Sequence, residues 1–253
     1  MYVDFVSDDH FKDCVRHVLE PYNNATQLKI SLEEAIDRGD IFMSSLFSNV
    51  VDPFKMTFEI EKIGITEWVK KEILRQLDKS VEQKMGEFHQ KLLGGVSGWE
   101  DLQVGNEVDL KNEEENIFIE IKNKFNTCSS DALKGVRRKL EEITRANHEA
   151  RAYWAYVIAN SVLRSGEDVW IKKGFNKIDN VKKVWGANVY ELVTGSPDSL
   201  EEVYSILPKV INDVLFETEA VEISVLIDEI IVLLEPHLQE IQNNIFNIVF
   251  RNR

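Results

Sequence analysis

The run Asn106–Thr127, NEVDLKNEEENIFIEIKNKFNT, limits the possible folds more than any other stretch of the chain. Apolar and polar residues alternate on both sides of EEEN, a period of two that fits a pair of strands around a turn. A turn symmetric about Glu114 and Glu115 opposes residues whose numbers sum to 229. Val108 then faces Ile121 and Leu110 faces Ile119, giving one apolar face for a core. On the other face Asp109 lies opposite Glu120, and Glu107 opposite Lys122. Opposed side chains in such a pair have Cβ atoms about 4.5–5.5 Å apart, and like charges there are destabilising. Two carboxylates held so close ask for a cation between them. Lys122, two residues past Glu120, points the same way.

That constellation can hydrolyse phosphodiesters. Asp109 and Glu120, with the Ile121 carbonyl, offer hard oxygen ligands to Mg²⁺, an ion that keeps several of its waters. Such a metal activates a bound water and neutralises charge on the phosphate. Lys122 is the residue to orient the attacking water and stabilise the extra negative charge. Glu87, from the preceding helix, could bind a second metal or order a water. The residues alone leave another reading open, because acid–lysine pairs on an exposed hairpin face are commonly plain surface ion pairs. A non-catalytic DNA-binding protein with a solvated acid–lysine face is that alternative.

Charge adds to the argument. The chain carries a net −14, which taken alone opposes a nucleic-acid partner. The distribution is uneven: residues 122–139 hold Lys122, Lys124, Lys134, Arg137, Arg138 and Lys139 against Asp131 alone. Residues 171–183 hold Lys172, Lys173, Lys177, Lys182 and Lys183 against Asp179. An acidic exterior with two basic strips admits a polyanion at one place.

The surrounding pattern is helices, hairpin, helix, strands, helices. That order implies an α/β (α+β) domain, a central mixed sheet flanked by helices with an N-terminal helical addition. The boundaries read as a helical region over 1–78, a sheet-containing core over 79–215 and C-terminal helices over 216–253. Thr66 is a candidate cap for EWVKKEILRQLDK. Val81, Met85, Phe88 and Leu92 form a core stripe on a helix that ends at Gly94-Gly95. Ser129 or Ser130 caps a helix over 131–149. RAYWAYVIAN, EDVWIKKGF and ANVYELVT read as strands, Ser196-Pro197 opens another helix, and Pro236 splits the last helices. His89 and Gln90 are expected as a buried pair bracing Glu87, with Trp154, Trp170 and Trp185 in the core or at its rim. Cys14 and Cys128 lack metal spacing and read as free thiols of a cytoplasmic protein. No apolar run of about 18 residues suggests a membrane partner.

VDL followed by IFIEIKNKFNT, and preceded by GEFHQKLLGGVSGW, resembles the PD-(D/E)XK nuclease superfamily, and within it the Type II restriction endonucleases that cut GGNCC or GGWCC sites. The likeness runs from NVVDPF through the hairpin into the strands after residue 150. It implies a mixed sheet flanked by helices, Mg²⁺-dependent cleavage of both strands of duplex DNA, and 5′-phosphate ends. By position Asp109 and Glu120 match the two motif acids, Lys122 the lysine, and Glu87 the acid on the helix before them. Val108 stands where the motif has proline. Asn123, Lys124, Asn126, Thr127, Lys134, Arg137, Arg138 and Lys139 are candidates for DNA contact, mostly to phosphates. A two-fold recognition site implies a homodimer, with the helices from Val221 to Phe250 as one interface or buried within the monomer. A cytosine methyltransferase is the expected genetic partner. A repair or recombination nuclease on the same core, without fixed sequence preference, is the rival reading within the enzymes.

Overall fold

The computed structural model describes residues 1–48, 51–103, 108–160, 164–218 and 222–250. In chain order these form α1 (Asp8–Asn23), α2 (Thr26–Asp37), α3 (Ser45–Ser48), α4 (Pro53–Ile63) and α5 (Ile65–Gly94). Then follow β1 (Glu100–Asp101), β2 (Leu110–Asn112), β3 (Ile117–Lys124), α6 (Ser130–Ala146), β4 (Arg151–Ile158), β5 (Gly166–Val169) and β6 (Val181–Trp185). The chain ends with α7 (Ala187–Thr194), α8 (Ser199–Glu217), α9 (Ile223–Leu234), α10 (Leu238–Asn243) and α11 (Ile245–Phe250). Among the described residues no helix is long and apolar enough to cross a membrane.

Two compact units result, and the divisions fall inside α1, α5 and α8. One contains Met1–Val18 and Gln83–Leu215; the other contains Leu19–Glu82 and Phe216–Arg253. The first eighteen residues thus cluster with the sheet, and the C-terminal helices with the N-terminal ones.

The sheet unit is built on six strands in the order β1-β2-β3-β4-β6-β5. β3, β4 and β6 run parallel, while β1, β2 and β5 complete antiparallel pairs. The hairpin register matches the turn symmetry: Leu110 pairs with Ile119, Lys111 with Phe118 and Asn112 with Ile117. Asn112 accepts the Glu115 N–H, and Asn116 takes the turn's positive φ of 52°, a conformation Asn tolerates better than most residues. α6 begins at Ser129, whose hydroxyl accepts the Ala132 N–H. Val136, Leu140 and Ile143, spaced three and four apart, lay it on Ala152, Trp154 and Val181 of the sheet. At its other edge the sheet meets the end of α5, where a Cβ on Gly94 would lie 2.6 Å from the Asp101 Cβ.

Three expectations fail here. ANVYELVT is α7, not a strand; its β-branched and aromatic residues mimic one, but Val189, Tyr190 and Val193 are buried at helical spacing. Gly186, at φ +65°, turns the chain into the helix where a Cβ would strike the Arg164 carbonyl. The missing strand is VKKVW, β6, hidden inside a basic run. Thr66 caps nothing, because α5 starts at Ile65 and runs unbroken for 30 residues. Within that helix Phe88 and Leu92 are buried but Met85 is exposed.

The second unit is helical. Asp52 caps α4 by accepting the Lys55 N–H, with Pro53 in the first turn. Leu32, Phe47, Met56, Val69 and Ile73 pack with Leu226, Ile230, Leu234, Ile241 and Ile248 in one cluster. The apolar stripe of the C-terminal helices is therefore covered within this unit.

Candidate active site

Asp109 leaves the hairpin ladder one residue before β2. Its N–H donates to the Ile119 carbonyl (3.1 Å), and its own carbonyl accepts from Leu102 (3.0 Å). Its carboxylate then replaces a main-chain acceptor: Oδ2 takes the Ile121 N–H at 2.8 Å. This bend corrects one detail of the pairing. Val108 packs with Val136, Leu140 and Trp154, so it does not share a face with Leu110 and Ile121. Glu107, expected opposite Lys122, lies outside the described residues.

The bend turns the Asp109 carboxylate toward the side chains of β3. Lys122 Nζ lies 3.1 Å from Asp109 Oδ2 and 2.9 Å from Glu120 Oε1. Both acids and the lysine thus meet, Glu120 and Lys122 by alternation along β3 and Asp109 by the bend. Glu120 is buried at 7% exposure, and Lys139 from α6 approaches its second oxygen, Oε2, at 3.5 Å. Burial and the neighbouring Glu120 charge raise the Asp109 pKa above the ordinary carboxylate value, against the opposing pull of Lys122 and the Ile121 N–H. Burial pulls the Lys122 amine down, but the two acids outweigh it and leave its pKa raised. The cluster holds two anions that repel and a cation shared between them.

Parallel pairing continues this face across the sheet: Glu120 aligns with Trp154 and Lys183, Lys122 with Tyr156 and Trp185. Trp154 stacks on Trp170 at 4.8 Å between centroids, and Tyr156 on Trp185 at 6.0 Å. All three tryptophans are buried, and Trp154 is the strand partner of Glu120.

The other candidates disperse. Glu87 pairs with His17 of α1, 2.8 Å from Nε2; no contact links it to Asp109 or Glu120 among the described residues. The expected brace is also different. His89 is buried with Nδ1 2.7 Å from the Tyr190 hydroxyl, and burial pulls its pKa down to about 4. Gln90 donates to Asp101 instead. Arg137, expected on phosphate, has a fully buried side chain between Trp170 and Phe175 and donates to the Asn176 carbonyl. It holds the second basic segment from inside. Asn123 turns to the opposite face from Lys122, with a buried Oδ1 that has no hydrogen bond. Lys124, Asn126, Thr127, Lys134 and Arg138 are exposed, and Lys134 pairs with Asp131. The contact of Lys139 with Glu120 had one signal in the sequence: it directly precedes Leu140 on the sheet-facing stripe of its helix.

The donor set suits a hard divalent ion. No group of three or more His, Cys, Asp or Glu side chains is placed to hold a metal among the described residues. Mg²⁺, however, commonly takes one or two carboxylates and completes its shell with water and substrate phosphate. Asp109 and Glu120 meet that need, and their mutual repulsion is what an added cation would relieve.

Two acids and a lysine on adjoining strands of a mixed sheet are the arrangement of the PD-(D/E)XK nucleases, and the relatives of this chain narrow the class to Type II restriction endonucleases. The chain belongs to the Eco47II restriction endonuclease family, whose model matches residues 3–216. It is 35% identical over 201 residues to the Type II restriction enzyme Eco47II of Escherichia coli, covering 76% of this chain and 84% of that protein. Identity to the Type II restriction enzyme Sau96I of Staphylococcus aureus is 26% over 225 residues, 84% of this chain and 80% of that one. No solved structure matches. The protein is a site-specific deoxyribonuclease; enzymes of this class act on double-stranded DNA and depend in general on a divalent metal ion.

Proposed function

We propose that this enzyme hydrolyses both strands of duplex DNA at a short GGNCC- or GGWCC-like site, with Mg²⁺ as its ion and 5′-phosphate ends as its products. One observation carries the reading: a single lysine amine lies within 3.1 Å of two carboxylates, one on β3 and one just ahead of β2. Asp109, Glu120 and the Ile121 carbonyl are the residues to hold the ion. When bound, the ion lowers the pKa of a water and offsets charge on the scissile phosphate.

The chain's own groups do the positioning. The Ile121 N–H fixes Asp109 through Oδ2, which leaves Oδ1 for the ion. Trp154 and α6 limit water around Glu120, so its charge is felt more strongly than in bulk solvent. Lys122 keeps its proton, since its pKa is raised, and acts as a fixed positive charge. It orients the attacking water and stabilises the pentavalent phosphate. Lys124, Asn126, Thr127, Lys134 and Arg138, with Asn123 and the Lys172–Lys183 segment, are proposed to meet DNA, chiefly at phosphates. Two copies, one per strand, suit a two-fold site, and a methyltransferase of matching specificity protects the host. Such an enzyme works in the cytoplasm.

Plasmid incubated with the protein and Mg²⁺ is expected to give discrete bands whose sequenced ends define one short site. A smear that Asp109→Asn leaves unchanged overturns the reading.

A further inference from the structure

The charges around Glu120 contain one more cation than the shared-lysine arrangement needs. Lys122 already bridges both acids, and Lys139 reaches only the outer oxygen of Glu120, at 3.5 Å. With Asp109, Glu120, Lys122 and Lys139 all ionised the group is neutral. Adding a divalent ion to the carboxylates makes it +2 unless a lysine withdraws. The two lysines are not equally able to do so. Lys122 is held by two carboxylates on rigid strands, with its side chain 31% exposed. Lys139 sits on α6 with its side chain 43% exposed and one longer contact. Its flexible stem can swing to solvent while Val136 and Leu140 keep the helix fixed on the sheet.

We infer that Lys139 is a displaceable counter-ion on Glu120: it neutralises the carboxylate while the metal is absent and competes with the metal for it. The inference rests on the proposed metal role of Glu120 and adds a residue that acts through it. Lys139 is thus a positioning residue that sets how much metal the enzyme needs. A device of this kind keeps two buried acids tolerable before the ion arrives and raises the metal concentration at which the site fills.

Ca²⁺ titration of the full-length, DNA-free protein, read by heat and by melting temperature, tests this. Lys139→Gln is expected to bind Ca²⁺ about three- to tenfold more tightly than the wild type, the scale of one like charge removed a few ångströms from the ion. Lys139→Arg, which keeps the charge, is expected to retain wild-type affinity. In chelator Lys139→Gln should melt slightly lower, since Glu120 loses a partner. A merely structural lysine would give weaker or unchanged Ca²⁺ binding in Lys139→Gln, and either result overturns the inference while leaving the metal site standing. A wild type that does not respond to Ca²⁺ or Mg²⁺ overturns the metal site itself, and the counter-ion with it.

Discussion

Two carboxylates of nearly equal burial, Glu72 in the helical unit and Glu120 in the sheet unit, are treated in opposite ways. Glu72 is 6% exposed and Glu120 is 7%. Glu72 meets Arg75 through both guanidinium donors and also accepts from Gln76 at 2.9 Å. A planar fork on a carboxylate is among the strongest charge-assisted pairings, and Glu59, the second acid near Arg75, acts on it more weakly than Glu72 does. Glu120 has only lysines, one shared with Asp109. Burial is therefore no mark of function here. The mark is a buried acid whose partners leave it a reason to bind something else.

The largest test of this contrast is catalytic. Asp109→Asn and Glu120→Gln should each lower cleavage about 10³-fold or more, by removing a metal-binding charge. Glu72→Ala should leave cleavage of the folded enzyme unchanged. Plasmid digestion well below the melting temperature measures all three, and a dead Glu72→Ala enzyme would break the comparison. Next in size, Glu72→Ala should cost about 1–3 kcal/mol of stability, because charge-assisted bonds at a buried site are lost. Denaturant melts read that loss.

A smaller effect has the opposite sign. Asp109→Asn removes the repulsion with Glu120 yet keeps an acceptor for the Ile121 N–H. Without metal it should melt about 2–4 °C higher, the shift expected for about 1 kcal/mol in a chain of this size. Smallest is a pH dependence. The folded Asp109 pKa is raised above 3.8, so the folded state binds the extra proton between those two values. Its contribution to stability is greatest below 3.8 and is lost as pH rises through the folded pKa. The advantage of Asp109→Asn in chelator should accordingly grow with pH across that window and then level off. A gap that shrinks instead would show that Asp109 is held as comfortably as Glu72.

The sequence revealed those parts of the site that depend on neighbours in the chain. Symmetry about Glu114 and Glu115 gave the register, and strict alternation put Glu120 and Lys122 on one face; Asp109 meets them as expected, but through a bend rather than through period-two geometry. What depended on contacts between distant segments stayed hidden. Glu87 finds His17 and Arg137 turns inward to Trp170 and Phe175, and no spacing encodes either; Lys139 reaches Glu120 from a helix, where its place beside Leu140 was the one signal. The bend at Asp109 was equally invisible, since it arises from hydrogen bonds to Ile119, Ile121 and Leu102 together. β6 escaped because its lysines look like a solvated run, although Val181, Val184 and Trp185 are buried.

The turn at Glu113–Asn116 is separated from the charged cluster by three paired rungs, and Asn112, Asn116 and Asn147 tie down its base. Its tip, Glu113 and Glu114, is exposed. This is where the enzyme can be lengthened: a fluorophore-bearing peptide or a tether spliced between those two glutamates should leave the cutting geometry as it was.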